Sequence, residues 1–416
     1  MLDLVLQNVR LPGGRVVDLG IVDGHVAGDT GPADERLDCS GLVVMPGAID
    51  MHVHLRGGPQ AYKEDWDSGT RSALAGGVTM VVDQPNAVPP LESVDVFEAR
   101  VEEGLGQSRC RFGINGAVTP DADLEGLHTA GALAFGETFV AASSYGEALD
   151  DGDLATVLRR IAALEALATL HLEQPLPGIA GTLEEHDRLR PANGEVRALE
   201  RVLSLAPAGL RLHCCHMTSP LAVRRAGSAR ATVELTPHHV LIDRERFAPG
   251  DGRGKVNPPL RKREERRDLW PCLPRIDAVA SDHAPHTADE KVLPFEEAPA
   301  GLPGVETMVP LLLARVLKGE LGLGRLIELT STGPARVLGL RPPGFSPGDS
   351  ADFAIFPSVP VTISARDLHS RSGWTPFEGM SAVFPDLVMI GGEIAFDHGR
   401  FTDLPGSWVS GKGYKN

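Results

Sequence analysis

The sequence predicts an α/β protein: a (β/α)8 TIM-type barrel carrying a small β domain built from both chain ends. Three observations predict it. Strand-length apolar runs alternate with helical patterns through the middle of the chain, those runs number eight, and the two ends share a different texture of short strands. Alternation of strand and helix is what a parallel sheet needs, because parallel neighbours require a crossover between them. An open, doubly wound sheet is the alternative, and the count of eight favours closure.

Residues 1–47 contain LDLVLQNVRL and GRVVDLGIVDGHVAG, short strands broken by glycines and Asp-Gly turns. The same texture returns over 345–416, in ADFAIF, DLVMIGGEIAF and HGRF. Residues 1–47 and 345–416 are therefore expected to form one small domain, and 48–344 the barrel. The barrel strands are expected at AIDMHVHL (48–55), TMVVDQ (79–84), RFGINGAV (111–118), ALAFGE (132–137), ATLHLE (168–173), LRLHCCHM (210–217), ATVELT (231–236) and IDAVASD (276–282). Helical patterns such as DDGDLATVLRRIAALEAL, EVRALERVLSLA and KREERRDLWPCL lie between them.

Bulk properties narrow the function. At 416 residues, 42% of them hydrophobic, the chain can bury a large core. Its net charge of −16 argues against nucleic acid or an anionic membrane as partner. The five cysteines are scattered without C-x-x-C spacing, which suits free thiols in a reducing compartment. The N-terminus lacks a basic leader, and no run reaches the roughly 18 apolar residues of a membrane span. A cytoplasmic protein is expected.

Chemistry in such a barrel collects at the C-terminal ends of its strands. Those ends bring His52 and His54, Asn86, Glu137, His171, His216 and Asp282 to one rim. In IDMHVHLR, alternate residues of a strand share a face, so His52 and His54 point the same way. Alone, H-x-H is equally compatible with a structural pair. Four histidines and two carboxylates at one rim point to a metal centre. His213, His238 and His239 read as structural. GDGRG (250–254) has the glycines of a phosphate loop but is followed by VNPP and not a helix, so a mobile loop beside the pocket is expected. KREERR (262–267) reads as a solvated helix start.

The segments PGAIDMHVHLR (46–56), YKEDWDSGTRSALAGGVTMVVDQPNAVP (62–89), TLHLEQP (169–175), LHCCHMTS (212–219), ELTPHHVL (234–241), KVNPPLRKREER (255–266), VASDHAPHT (279–287) and SADFAIF (350–356) carry a resemblance. By them the chain resembles the amidohydrolase superfamily, and within it the dihydroorotase family, over essentially its whole length. The resemblance implies zinc, one or two ions per chain, held by His52, His54, His171, His216 and Asp282. It implies a water made nucleophilic by zinc, with Asp282 moving the proton to the departing ring nitrogen. The implied substrate pair is dihydroorotate and N-carbamoyl-aspartate of pyrimidine biosynthesis. Arg56, Asn86 and His286 would bind the carboxylate, with Asn257 lining the pocket. Arg56 together with Asn86 separates dihydroorotases from their hydantoinase and allantoinase cousins. A homodimer, and association with aspartate transcarbamoylase, are the partners the family suggests.

The sequence also departs from the family pattern. Many members bridge two metals with a carboxylated lysine, but no lysine occurs between Lys63 and Lys255. Some relatives use an aspartate instead, and ALAFGETF (132–139) places Glu137 at that position. Glu137 is expected to bridge two metals; a single-metal site is the alternative. RGGPQAYKED lacks the family's REPG, Gln84 replaces a methionine and Gly333 an asparagine. Two other readings stand beside this one: a hydantoinase- or allantoinase-type enzyme, and an inactive scaffold homologue, which would be expected to have lost ligands.

Overall fold

The computed structural model describes residues 1–141 and 148–415. Eight parallel strands alternate with helices: Ala48–Val53, Val78–Asp83, Arg111–Ile114, Phe135–Phe139, Leu167–His171, Arg211–Cys214, Thr232–Leu235 and Ala278–Val279. The first three pair in one parallel run and the last five in another. Parallel bridges join Gly116 to Phe135 and Val53 to His283, so the two runs meet at both ends. These strands are buried almost throughout, as parallel strands covered by helices must be.

Seven of the eight observed strands are shorter than the apolar runs that predict them. IDAVASD contributes only Ala278–Val279, and LRLHCCHM only Arg211–Cys214. The cause lies just beyond the ladders. Arg56, His216 and Asp282 take left-handed backbone conformations, with φ of 50°, 33° and 46°, which cannot continue a strand.

The helices follow ordinary rules. Asp65 and Ser68 form a capping box at the start of Trp66–Ala75, and the Asp150 side chain accepts from Asp153 N at the start of Asp151–Ala163. In the latter, Leu154, Val157, Leu158 and Ile161 recur at helical spacing and are the buried face. KREERR begins the helix Arg263–Leu269, of which only Leu269 is buried, as a solvated start should be. GDGRG is not a loose loop but a 3-10 turn, Gly252–Gly254, with both of those glycines buried.

The chain ends form two further sheets. One holds Leu2–Arg10, Val16–Val22, His25–Val26 and Ala33–Asp38; the other joins Val43–Pro46 to Phe353–Phe356, Leu387–Ile390, Glu393–Asp397 and Arg400–Phe401. One apolar cluster, including Leu6, Ile21, Val44, Phe353 and Met389, draws on both sheets. Ser407–Trp408 leaves this region and pairs with Arg111 and Phe112 of the third parallel strand. All five cysteines are buried and free. Among the described residues no helix is long and apolar enough to cross a membrane.

His186, on helix Leu183–Leu189, is buried and donates Nε2–H to Val256 O at 3.0 Å. Burial, aided by Arg190, pushes its pKa from 6.5 down to about 4. Across that window the unfolded chain binds a proton that the native chain refuses, so stability falls as pH drops. The shift corresponds to about 3 kcal/mol. Denaturant midpoints should therefore decline from pH 6.5 towards about 4, and less steeply in His186→Gln.

Candidate metal centre

Glu137, on the fourth strand, is where the predicted residues meet. Its Oε1 lies 2.6 Å from His171 Nδ1 and 2.5 Å from His216 Nε2, and its Oε2 lies 3.6 Å from His52 Nε2. Asp282 Oδ1 lies 3.1 Å from His54 Nε2 and 3.6 Å from His52 Nε2. His52 thus stands between the two carboxylates. Two overlapping groups, His52–Glu137–His216 and His52–His54–Asp282, have donor atoms within 4.8 Å of one another. All six residues are buried.

The electrostatics favour an added positive charge. Burial alone would strip His52 of a proton, but Glu234 and Glu137 outweigh it and hold its pKa well above 6.5. Burial is likewise overcome at His171 by Glu137, to about 9. Burial would raise Glu137, yet His171 and His216 hold it well below the usual carboxylate range; His54 and His52 do the same for Asp282. Among the described residues, His52 Nε2, which faces both carboxylates, is nevertheless buried without a hydrogen-bond partner. Such an orphaned atom costs about 1–3 kcal/mol, and a metal ion is a standard way of satisfying an imidazole nitrogen. The nitrogen and carboxylate donors at this site fit a divalent ion of the zinc type.

Three histidines have one ring nitrogen tied away from the centre. Asn86 Oδ1 lies 2.6 Å from His54 Nδ1, so the amide oxygen accepts and Nε2 is left to face Asp282. Glu234 Oε1 accepts from His52 Nδ1 at 3.2 Å and from His216 N at 3.1 Å. Glu173 Oε2 accepts from His171 Nε2 and from Arg190 Nη1, both at 2.6 Å. Glu173, Glu234 and Arg190 are absent from the sequence-predicted set. A signal existed for Glu173, two residues beyond His171 and so on its face of the strand. Glu234 is the one acid in the apolar run ATVELT. His213 supports Glu234 at 3.3 Å, and His239 bridges Thr236 and Pro258 O, both in structural roles.

A cavity of about 290 Å³ brings His54, Glu137, His171 and Asp282 together with Arg56, Asn86, Asn257 and His286. Arg56 makes no ion pair among the described residues; its nearest partners are Pro285 O and His286 Nε2, both at 3.4 Å. Glu64, an acid nearby in the sequence, is occupied by Ser68, Ser370 and His283. A guanidinium facing a cavity without a counter-ion suits an anionic ligand. Gly301 lines the same cavity at φ +139°, where a Cβ would lie 2.6 Å from Ala284 O; only glycine allows that approach. A larger cavity, about 540 Å³, opens at the opposite strand ends near Gly47, Thr79 and Arg111. Its Arg111 is already paired with Asp352 at 2.8 Å, and it holds none of the predicted residues.

The amidohydrolase family pattern matches residues 43–111. The dihydroorotase of Halobacterium salinarum is 37% identical over 403 residues, covering 94% of each chain. That of Methanosarcina acetivorans is 37% identical over 414 residues, covering 92% of this chain and 88% of its own. The chain belongs to the dihydroorotase family. It is thereby a metal-dependent cyclic amide hydrolase. Among solved structures, the L-hydantoinase (dihydropyrimidinase) of Arthrobacter aurescens superposes with a TM-score of 0.90 at 27% identity, over 99% of this chain and 100% of that one. The D-hydantoinase of a Thermus species shares the fold at 23% identity, with a TM-score of 0.87 over 99% of both chains.

For this dihydroorotase-family site, Glu173 is expected to orient His171 as a ligand. Glu173→Gln should weaken metal retention about 10–100-fold, read as metal content after dialysis against a competing chelator.

Proposed function

We propose that this protein catalyses the reversible hydrolysis of dihydroorotate to N-carbamoyl-aspartate, with zinc, in pyrimidine biosynthesis. The observation that carries this is Arg56, a guanidinium that makes no ion pair among the described residues, lining one cavity with Asn86, His286 and the histidine–carboxylate cluster. In this reading the eight parallel strands form a closed (β/α)8 barrel over 48–344, and 1–47 with 345–416 form a β-sandwich.

His52, His54 and Asp282 would hold one zinc and His171 and His216 a second, with Glu137 reaching both. Zinc supplies Lewis acidity and lowers the pKa of a bound water to about 7. The chain's own residues do the rest. Arg56, the Asn86 amide nitrogen and His286 grip the substrate carboxylate, fixing the ring so that its amide carbonyl faces Asp282. Water adds to the carbonyl carbon, and Asp282 takes its proton. As the ring C–N bond breaks, Asp282 returns that proton to the departing nitrogen. The reverse sequence closes the ring.

A hydantoinase-type activity is the second reading, favoured by the likeness to the Arthrobacter hydantoinase. Turnover of dihydroorotate by zinc-loaded protein, against a chelator-treated control, separates the two. Zinc-dependent ring opening is expected, and Arg56→Ala should lower kcat/KM at least about 10–100-fold, the value of a charged hydrogen bond. The same variant should leave dihydrouracil, which lacks the carboxylate, nearly unaffected. Dihydrouracil turnover exceeding that of dihydroorotate in the unaltered protein would favour the second reading.

Glu137 gives a separate test. In excess zinc the protein should bind two ions per chain by elemental analysis, and Glu137→Ala at most one. A count that stays at one in the unaltered protein would remove the bridge.

A further inference from the structure

We propose that Lys63 is a positioning residue that seals Nδ1 of His286 and so fixes His286 as the neutral ring with its single proton on Nε2. This rests on the reading of His286 as a partner of the substrate carboxylate. Lys63 lies in QAYKED, a segment given no role in the chemistry above. It is a buried lysine, 7% exposed, with Nζ 3.2 Å from His286 Nδ1 and 2.8 Å from Glu290 Oε1. Glu290 is itself anchored. Its Oε2 accepts from Thr287 N at 3.0 Å in a capping box, and its Oε1 accepts from Tyr62 OH at 3.0 Å.

The donor inventory decides the tautomer. An ammonium only donates, so Nδ1 of His286 must accept. The ring proton is then on Nε2, where Ala300 O accepts it at 3.1 Å. Arg56 Nη2 lies 3.4 Å from the same nitrogen. Two donors cannot bond each other, so Arg56 Nη2 is left for an external acceptor such as a carboxylate oxygen, and that carboxylate would share the Nε2–H with Ala300 O. A ring protonated on Nδ1 instead would turn a lone pair towards that anion.

Three basic groups face His286: Arg56, Lys63 and Lys291, the last with its own pKa pushed down to about 7 by burial. One carboxylate, Glu290, approaches within 3.7 Å of Nδ1, and Lys63 already shares it. Burial and these basic groups together hold His286 far below the ordinary imidazole range. The donor face presented to the substrate is therefore independent of pH where an ordinary histidine would titrate. Lys63 supplies the only one of these contacts that blocks Nδ1 directly.

Long-range proton–nitrogen spectra of zinc-loaded protein labelled in its histidines, with His286→Asn for assignment, test this without substrate. The unaltered protein should show His286 as the Nε2–H tautomer, unchanged from pH 5.5 to 8.5. In Lys63→Met the same ring should mix tautomers and titrate within that range, while Lys63→Arg retains the original pattern. An Nδ1–H ring or an ordinary titration in the unaltered protein overturns the proposal, whether or not Lys63→Met folds; so does an unchanged pattern in a folded Lys63→Met. Kinetics report the link to substrate. KM for dihydroorotate should rise about tenfold in Lys63→Met and become pH-dependent, with kcat changed much less and dihydrouracil unaffected. If the spectra behave as expected and KM does not move, Lys63 still fixes the ring, and the role of His286 in carboxylate binding is what fails.

Discussion

Glu137 and its imidazole neighbours set the terms for the rest of the molecule. A carboxylate and four histidines are buried together, and an isolated charge there would cost far more than any single contact returns. The fold meets this by giving three of the four rings a specific acceptor away from the centre and by tying the backbone of the fourth. Glu234 takes His52 and the backbone of His216, Glu173 takes His171, and Asn86 takes His54. The fold itself thus orients the rings, as a site built to hold a metal ion would require.

The same economy extends into the loops. Beyond His216 the backbone turns left-handed, and the next residues are held by a buried acid: Glu195 accepts from Thr218 N at 3.0 Å and Ser219 N at 2.9 Å. Arg261 Nη2 reaches the same carboxylate at 3.3 Å, and its Nη1 reaches Asp187 at 2.7 Å. At the first strand, Asp83 accepts from Leu55 N at 2.8 Å while Arg100 holds its other oxygen at 2.9 Å. Left-handed conformations at non-glycine residues cost on the order of 1–3 kcal/mol each and persist where surrounding contacts over-determine them. Networks of this kind supply that determination beside two of the three such residues at the site.

Much of this was legible in the sequence, for a physical reason. Buried parallel strands must be apolar along their length, so the polar residues that interrupt them, His52, His54, His171 and His216, announce a special rim. The pattern also located all eight strands. It could not fix where each strand stops, because that depends on backbone turns at Arg56, His216 and Asp282 that leave no mark in hydrophobicity. Glu173, Glu234 and Lys63 were passed over because a lone acid or lysine in a strand or loop looks like surface until its partner, far away in sequence, is known. GDGRG failed differently: its glycines suggest looseness, yet Gly252 is glycine because a Cβ there would lie 2.5 Å from Lys291 O.

Ser407–Trp408 beside the third parallel strand carries a consequence for how the molecule is made. Arg111 and Ser407 are 296 residues apart, yet they are neighbours in one ladder. During synthesis at about 5–20 residues per second, the third strand therefore waits roughly 15–60 seconds for this neighbour. Such a long closure favours slow, late completion. Until then Arg111 and Phe112 lack that ladder neighbour, and the sheet edge there stands unpaired.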